Sequence, residues 1–340
     1  NVISNGLILD KKGQKMSKSL GNATDPFETL DQYGPDATRW YMIANANPWD
    51  NLKFDVEGIE EVQRKFFGTL YNTYSFFSLY SNIDQFQFKE ATIDRANRTE
   101  LDRWILSELH SLITQVDADY ADYEPTRAAR AISEFVQEKL SNWYVRLNRR
   151  RFWKGSYGQD KIAAYQTLFE SLLTVAKLAA PIAPFYSDRL YQDLIEDTAV
   201  ENYASVHLSE FPKPDPEAID TELEARINKA RLIVSLGLSL RKKEQIKVRQ
   251  PLQKLMIPVK NQQEREQLLS IEEQIKTEIN VKELELLDDA STILVKEIKP
   301  NFKTLGPRFG KEMGSIVNTV KSLSEEQIKQ LEEEGQIELK

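Results

Sequence analysis

Apolar residues recur at three- and four-residue steps through most of the first two thirds of the chain, and this spacing most limits how it can fold. Such spacing predicts long amphipathic helices. The predicted helices span residues 36–44, 56–82, 100–120, 125–153 and 160–180. Helices of this length joined by polar connections pack as an antiparallel bundle. The fold class is therefore predicted to be mainly α, an antiparallel helical bundle.

Two features refine this bundle. Seven apolar positions in its second helix are predicted to be core: Phe66, Phe67, Leu70, Tyr71, Tyr74, Phe77 and Tyr80. Residues 180–191 contain two prolines, and each proline removes a backbone donor and disfavours helix in the residue before it. This segment predicts a bend between two packed helices.

The composition changes at residues 211–216, where three prolines in five residues predict an extended linker. A small α+β carboxyl-terminal domain is predicted to follow. Its predicted helices span residues 220–243 and 262–278, and its predicted strands span 254–259, 281–287 and 292–298. The last two strands alternate like a pair.

Residues 299–311 predict a glycine-articulated loop that presents several cations, although a plain connection between strand and helix fits them equally well. The final residues, 336–340, resemble a strand cut short, which suggests that more chain follows.

Length and composition exclude several kinds of protein. The chain has 340 residues, enough for two or three domains. It contains no cysteine, which excludes disulfides and thiolate metal sites, and its two histidines, His110 and His207, are too far apart in sequence to suggest zinc. It has no transmembrane run or secretory signal, which favours the cytoplasm. The net charge of −8 means that any RNA contact must come from local basic patches.

The clearest basic patch is residues 142–154, here called the basic helix end. It has no acidic residue and holds five basic ones, Arg146, Arg149, Arg150, Arg151 and Lys154. These positive side chains could simply stabilise the helix by interacting with the negative end of its dipole. Alternatively, they hold phosphates while an exposed aromatic stacks on an unpaired base. Both interpretations stay open on the residues alone, and Trp143 and Tyr144 are predicted to be core.

A second patch lies in residues 11–22, which read Lys-Lys-Gly-Gln-Lys-Met-Ser-Lys-Ser-Leu-Gly-Asn. The run follows a strand-like segment and turns at Lys12-Gly13, so its lysines lie on a flexible loop that can close over a triphosphate. When a carboxylate attacks the α-phosphate of ATP, charge grows on the leaving pyrophosphate, and cations or hydroxyls placed there favour the transition state. Lys18 is the first candidate for this contact and Lys15 the second. A solvated basic turn is the alternative.

Residues 15–19 resemble the KMSKS signature of class I aminoacyl-tRNA synthetases. The resemblance implies that ATP is bound by Lys15, Met16, Ser17, Lys18 and Ser19. It also implies the end of a catalytic domain with a stem-contact region in residues 1–95, an anticodon-binding bundle in 96–210 and a tRNA-binding terminal domain in 211–340. The companion His-Ile-Gly-His signature of this class is not present, because the two histidines of the chain are His110 and His207. We therefore expect a carboxyl-terminal fragment that starts just before the KMSKS loop and is inactive alone.

Later stretches resemble the isoleucyl-tRNA synthetase family in particular, at residues 141–153, 247–252, 280–284 and 299–310. The resemblance implies a monomeric enzyme, not membrane-bound, that activates L-isoleucine with ATP and Mg²⁺ and transfers it to isoleucine tRNA. No zinc is expected in this chain. The residues implied in tRNA binding are Arg146, Arg149, Arg150, Arg151, Lys154, Lys247, Arg249, Lys303 and Arg308. The alternatives are the same part of a valyl- or leucyl-tRNA synthetase, or a nonenzymatic RNA-binding helical module.

Overall fold

The computed structural model describes residues 3–196, 198, 200–288 and 298–337. Its backbone contacts separate two compact units, Asn1–Arg231 and Leu232–Lys340. The domain limits predicted near residues 95 and 210 stay predictions. None of the helices in the described ranges is both long enough and apolar enough to span a bilayer.

The first unit is almost wholly helical. Its α-helices are α1 (Pro26–Tyr33), α2 (Pro35–Asn45), α3 (Val56–Val62), α4 (Gly68–Asp84), α5 (Glu100–Ala121), α6 (Pro125–Glu134), α7 (Arg146–Trp153), α8 (Gln159–Ala179) and α9 (Pro184–Ile195). Two short strands, β1 (Ile8–Leu9) and β2 (Leu52–Lys53), pair in parallel.

Local sequence signals fix several helix ends. The Asp25 carboxylate accepts hydrogen bonds from the amides of Phe27 and Glu28, and Pro26 occupies the first helical position of α1. Thr99 and Asp102 form a reciprocal capping box at the start of α5. The start of α5 agrees with the helix predicted to begin at residue 100.

Two predicted helices are interrupted by π-helical segments, which the spacing of apolar residues did not predict. The segment Gln63–Phe67 joins α3 to α4, and Phe135–Val145 joins α6 to α7. At their ends the Gly68 and Arg146 amides donate to carbonyls five residues back. Each wider turn holds an extra residue. Three consecutive side chains at the end of the second segment, residues 143–145, are buried.

Helix α8 is the centre of the core, since most of its residues are buried around its whole circumference. Of the seven aromatic and aliphatic positions predicted as core, Phe66, Leu70 and Phe77 are buried and most of the others are partly buried. Tyr71 was predicted wrongly, because it is 59% exposed. One residue along an α-helix turns a side chain by about 100°, which takes Tyr71 off the buried face of Leu70.

The predicted proline bend is confirmed. Helix α8 ends at Ala179, the amide of Ala183 still donates to its carbonyl, and α9 begins at Pro184. Proline in the first turn of a helix loses no intrahelical hydrogen bond. The bend therefore needs no unsatisfied donor.

The boundary between the two units lies within helix α10 (Thr221–Lys243). The second unit contains a two-stranded parallel sheet. Its strands are β3 (Leu252–Pro258) and β4 (Val281–Leu287), and its remaining helices are α11 (Gln262–Ser270), α12 (Glu272–Ile279), α13 (Phe302–Phe309), α14 (Met313–Lys321) and α15 (Glu325–Glu334). Gly237 of α10 leaves room for Ile279, whose Cδ1 would lie 2.6 Å from an added Cβ.

For this unit, the pairing of β3 with β4 was not predicted, one predicted strand lies almost wholly outside the described residues, and one predicted helix needs correction. Strand β4 pairs with β3 in parallel, because two helices lie between them in sequence and supply the crossover that a parallel pair needs. The strand predicted at 292–298 falls almost entirely on residues outside the described ranges. The helix predicted at 262–278 is two helices that meet at Ile271.

The predicted loop at 299–311 is mostly helix α13, because Asn301 caps it by accepting from the Lys303 amide. The last residues of the predicted terminal strand, 338–340, are also outside the described part of the chain.

Candidate functional site

The signature loop, residues 10–22, begins directly after β1 and is organised by one carboxylate. Asp10 Oδ1 accepts from the amides of Lys12 and Gln14 at 2.9 and 2.8 Å. The backbone closes the same turn, since Asp10 donates to the Gln14 carbonyl and Gly13 donates to the Asp10 carbonyl. Gly13 has a φ of 81°, a conformation that glycine adopts without strain.

The second half of the loop is held by Asn22. Its Oδ1 accepts from the Ser17 amide at 2.9 Å, while its Nδ2 donates to Asp10 Oδ2 at 2.9 Å and to the Lys15 carbonyl at 3.3 Å. Ser17 then caps a short turn over Lys18–Leu20. One amide side chain therefore joins both ends of the loop and fixes the backbone on either side of Met16.

The loop lysines differ in their surroundings. Lys11 lies 3.0 Å from an Asp55 oxygen and 3.2 Å from a Glu57 oxygen, and these hydrogen bonds raise the pKa of Lys11. Lys15 and Lys18 are exposed, and within the described residues no carboxylate or other partner contacts either ammonium group. The two lysines predicted to bind a triphosphate are thus available to an anion, as is the exposed Lys12.

The hydrogen bonds within the loop also stabilise the charge on Asp10. The bond from Asn22, followed by that from the Gln14 amide, lowers the pKa of this carboxyl below its usual value. These hydrogen bonds therefore favour the charged form of the Asp10 carboxyl.

In the basic helix end, Arg151 points inward. Its guanidinium binds both oxygens of Asp102, at 2.8 and 2.9 Å, and an oxygen of Asp160 at 2.8 Å. Asp102 is fully buried and also accepts from the Tyr144 hydroxyl at 2.6 Å. Burial alone would lower the pKa of Arg151, but the hydrogen bonds and charge of Asp102 outweigh it and raise that pKa.

Tyr144 responds to the same surroundings, because burial, and then the charge of Asp102, raise its pKa well above the usual value. The predictions that Trp143 and Tyr144 are core are confirmed. Arg151 satisfies a buried carboxylate, so its role as an RNA contact stays a prediction that this geometry disfavours.

The other basic side chains of the basic helix end are exposed. Arg149, Arg150 and Lys154 are exposed and contact no carboxylate within the described ranges. Arg146 donates to the Asn142 carbonyl and lies 5.9 Å from the centroid of the Trp143 ring. Beside them Trp153 is 56% exposed.

The sequence indicated that an exposed aromatic could stack on a base but did not identify it. In the structure the neighbouring Phe152 is buried. Adjacent helical residues point in directions about 100° apart, so the burial of Phe152 turns Trp153 away from the core. Trp153 is therefore the exposed aromatic of this surface.

The predicted cations of the second unit lie on two elements. Lys247 and Arg249 are exposed in the turn before β3, whose carbonyls at Lys247 and Gln250 accept from Arg241. Lys303 and Arg308 are exposed on α13. Five helical positions separate this second pair, so their directions differ by about 140°. Residues 299–311 therefore do not present Lys303 and Arg308 together on one glycine-articulated loop.

Two family models match the chain. Residues 1–55 match the class I tRNA synthetases for I, L, M and V, and residues 102–256 match the anticodon-binding domain of tRNA ligase. The first match contains the signature loop. The second contains the basic helix end.

Curated relatives match almost the whole chain. Isoleucine–tRNA ligase of Bacteroides thetaiotaomicron is 57% identical over 99% of this chain, and that of Bacteroides fragilis is 58% identical over 98%. The enzyme of Thermus thermophilus is 43% identical over 93%. The chain spans only 29% of the length of the two Bacteroides proteins and 30% of the Thermus protein.

Proposed function

Because this chain belongs to the isoleucyl-tRNA synthetase family of class I aminoacyl-tRNA synthetases, we propose that it supplies the KMSKS loop and the tRNA-holding bundle of an isoleucine–tRNA ligase. The whole protein activates L-isoleucine with ATP and transfers it to isoleucine tRNA. It acts in the cytoplasm as a monomer. One observation carries this proposal. Among the described residues, the ammonium groups of Lys15 and Lys18 have no partner, while the loop that carries them is held by its own hydrogen bonds.

In the activation step, the isoleucine carboxylate attacks the α-phosphate of ATP and pyrophosphate leaves. Lys18, and then Lys15, bind the oxygens on which negative charge increases, while the Ser17 and Ser19 hydroxyls donate hydrogen bonds. Contacts that strengthen as this charge develops lower the barrier more than they stabilise bound ATP. The backbone of Met16 lies between the two groups that Asn22 holds, and this keeps both lysines at a fixed spacing along the loop.

Magnesium, when bound, neutralises phosphate charge. The described residues contain no cluster of three or more carboxylate or histidine side chains suited to a metal ion. We propose that the ion arrives on the phosphates of ATP.

For tRNA binding, Arg149, Arg150 and Lys154 contact phosphates, and Trp153 stacks on an unpaired base. Phosphate contacts give salt-sensitive affinity with little sequence preference, whereas stacking and base-edge contacts supply selectivity. Arg151 holds the helix that carries these residues. Contacts by Arg146 and by the second-unit cations Lys247, Arg249, Lys303 and Arg308 remain part of the proposal.

The test of activation uses the full-length protein that carries this chain. Isoleucine-dependent exchange of pyrophosphate into ATP is expected to fall at least about 100-fold in Lys18→Ala, as when a transition-state donor is removed elsewhere. The matched control is Lys12→Ala, which removes a lysine of the same loop outside the pentapeptide and is expected to change exchange less than about threefold. Equal losses in the two variants would contradict a specific role for Lys18.

The test of substrate choice compares charging of isoleucine, valine and leucine tRNAs by the same protein. Preferential charging of isoleucine tRNA is expected. Preference for another tRNA would assign the chain to the valyl or leucyl enzyme. Binding of tRNA by a correctly folded full-length protein that exchanges no pyrophosphate with any of the three amino acids would instead support the nonenzymatic module.

A further inference from the structure

We infer that Asp10 and Asn22 form a latch that positions Lys15 and Lys18 for pyrophosphate release, so that both are positioning residues for the activation step. The inference rests on the proposed function and deepens it. It starts from an asymmetry in the signature loop, where, among the described residues, the two lysines have free ammonium groups but a tightly bonded backbone.

The latch has one connection between the two ends of the loop. Asp10 Oδ2 accepts from Asn22 Nδ2 at 2.9 Å, across twelve residues of chain. On one side, Asp10 Oδ1 holds the Lys12 and Gln14 amides. On the other, Asn22 holds the Ser17 amide and the Lys15 carbonyl. Every backbone group in this set lies within the loop, and the latch therefore holds the backbone that carries both lysines.

The chemistry of the pair is directional. Asp10 accepts from three N–H groups and offers no donor, whereas Asn22 must donate through Nδ2 and accept through Oδ1. In Asp10→Asn one acceptor oxygen becomes an NH₂ group. A donor then faces a donor at one of the three hydrogen bonds that Asp10 accepts. In Asn22→Asp two carboxylates face each other. Either change opens the latch with almost no change in side-chain volume.

An open latch leaves both lysines in place but no longer fixes where they lie. Binding of ATP in the ground state depends weakly on this, because flexible ammonium groups still reach a triphosphate. The transition state depends on it strongly, because its stabilisation requires donors already placed where charge develops. The latch variants are therefore expected to lower kcat for pyrophosphate exchange and to leave the KM for ATP nearly unchanged.

A swap of the two residues makes a sharper test. In the double variant Asp10→Asn/Asn22→Asp, the asparagine introduced at position 10 can accept from the Lys12 and Gln14 amides and donate to the carboxylate introduced at position 22. That carboxylate can still accept from the Ser17 amide, and only the donation to the Lys15 carbonyl is lost. The swap is therefore expected to recover part of the activity that each single variant loses. A recovery of this kind measures the interaction between the two side chains directly.

The experiment measures pyrophosphate exchange in the full-length protein for Asp10→Asn, Asn22→Asp and the swap, beside Gln14→Ala and Lys18→Ala. Gln14→Ala is the matched control, because no hydrogen bond of the Gln14 side chain occurs within the described loop. We expect a fall in kcat of about tenfold or more for each single variant, a KM for ATP within about threefold of the parent, recovery in the swap, and no effect in the control. Thermal melting of each variant checks that it is folded.

Three outcomes would overturn the latch. If Lys18→Ala loses exchange while both single variants keep it, the proposed function survives and the latch does not. If the single variants lose activity and the swap shows only the product of their losses, the effect is general disruption of the loop. If Lys18→Ala itself retains full exchange, the proposed function fails, and the latch fails with it.

Discussion

Asp10 and Asp102 each gather several donors, but one lies on the surface and the other has no exposed area. Asp102 is matched by the guanidinium of Arg151 and the Tyr144 hydroxyl. Asp10 accepts hydrogen bonds from neutral amides alone among the described residues. A buried carboxylate that loses its partner keeps an uncompensated charge, whereas an exposed one regains water. The buried pair of Asp102 and Arg151 is therefore expected to stabilise the fold, whereas the latch of Asp10 and Asn22 is expected to position the loop and to contribute little to the stability of the fold.

The largest expected effect is at Asp102. Asp102→Ala leaves the largely buried Arg151 with only Asp160 as a carboxylate partner among the described residues, and the side chain of Asp160 is 63% exposed. We expect a loss of about 3–5 kcal/mol in the free energy of unfolding, the range for breaking a buried pair. Urea unfolding followed by helical circular dichroism measures it.

The control for that experiment is Asp160→Ala, which removes the exposed partner and is expected to change the same free energy by no more than about 1 kcal/mol. If the two variants lose equal stability, burial does not distinguish the two carboxylates.

The next comparison separates three neighbouring arginines. Arg151→Ala is expected to destabilise the fold, since it leaves Asp102 buried without its cation. Arg149→Ala/Arg150→Ala is expected to leave unfolding unchanged to within about 0.5 kcal/mol and to reduce the slope of log affinity for tRNA against log salt by about 1–2. Urea unfolding and tRNA binding at several salt concentrations test both. A double variant that unfolds early but binds tRNA normally would reverse the assignment.

A smaller effect is expected from Tyr144→Phe. It removes one donor from Asp102 while the bidentate contact with Arg151 remains. Hydrogen bonds to charged groups contribute about 1.5–3 kcal/mol, so the loss should be below that of Asp102→Ala. A loss equal to that of Asp102→Ala in the same unfolding assay would mean that the Tyr144 hydroxyl, and not the Arg151 guanidinium, is the main stabilising partner of Asp102.

The smallest effect concerns the pKa of Asp10. Because its pKa is lowered by the bond from Asn22 and then by the Gln14 amide, its contribution to holding the loop is present above the unfolded pKa. It is lost as pH falls through the lowered folded value. In Asn22→Ala, we expect the pKa to rise toward its ordinary value, measured by the ¹³C shift of the Asp10 carboxyl. An unchanged pKa would mean that Asn22 contributes nothing to the charge on Asp10.

Much of the helical fold could be predicted because its signals are local. Proline and aspartate at Asp25-Pro26 mark a helix start by their own chemistry, and the α8 region shows continuous helical spacing. The parallel pairing of β3 with β4 was missed, although the helix predicted between the two strands was a usable signal. Pairing depends on which strands meet in space, and alternation within each strand does not report that.

The candidate site was predictable in part for a related reason. The pentapeptide at residues 15–19 identified the loop, but the latch joins Asp10 to Asn22 and becomes visible only when the chain has turned back on itself. Similarly, Arg149, Arg150 and Arg151 look alike in sequence. Their directions depend on the π-helical segment before them, whose hydrogen bonds do not follow the 3.6-residue repeat that sequence patterns use.

The π-helical segment Phe135–Val145 also determines how this region can tolerate insertions and deletions. A one-residue deletion there would allow the wider turns to tighten into α-helix without leaving backbone donors unpaired. Tightening adds back about as much rotation as the lost residue removes, because each residue of a wider turn rotates the chain by less than the 100° of an α-helical residue, so Arg149 and Arg150 would keep roughly their directions. The same deletion in a plain α-helix would turn every following side chain by about 100°, so the length of this segment can change by one residue with less effect on the basic surface.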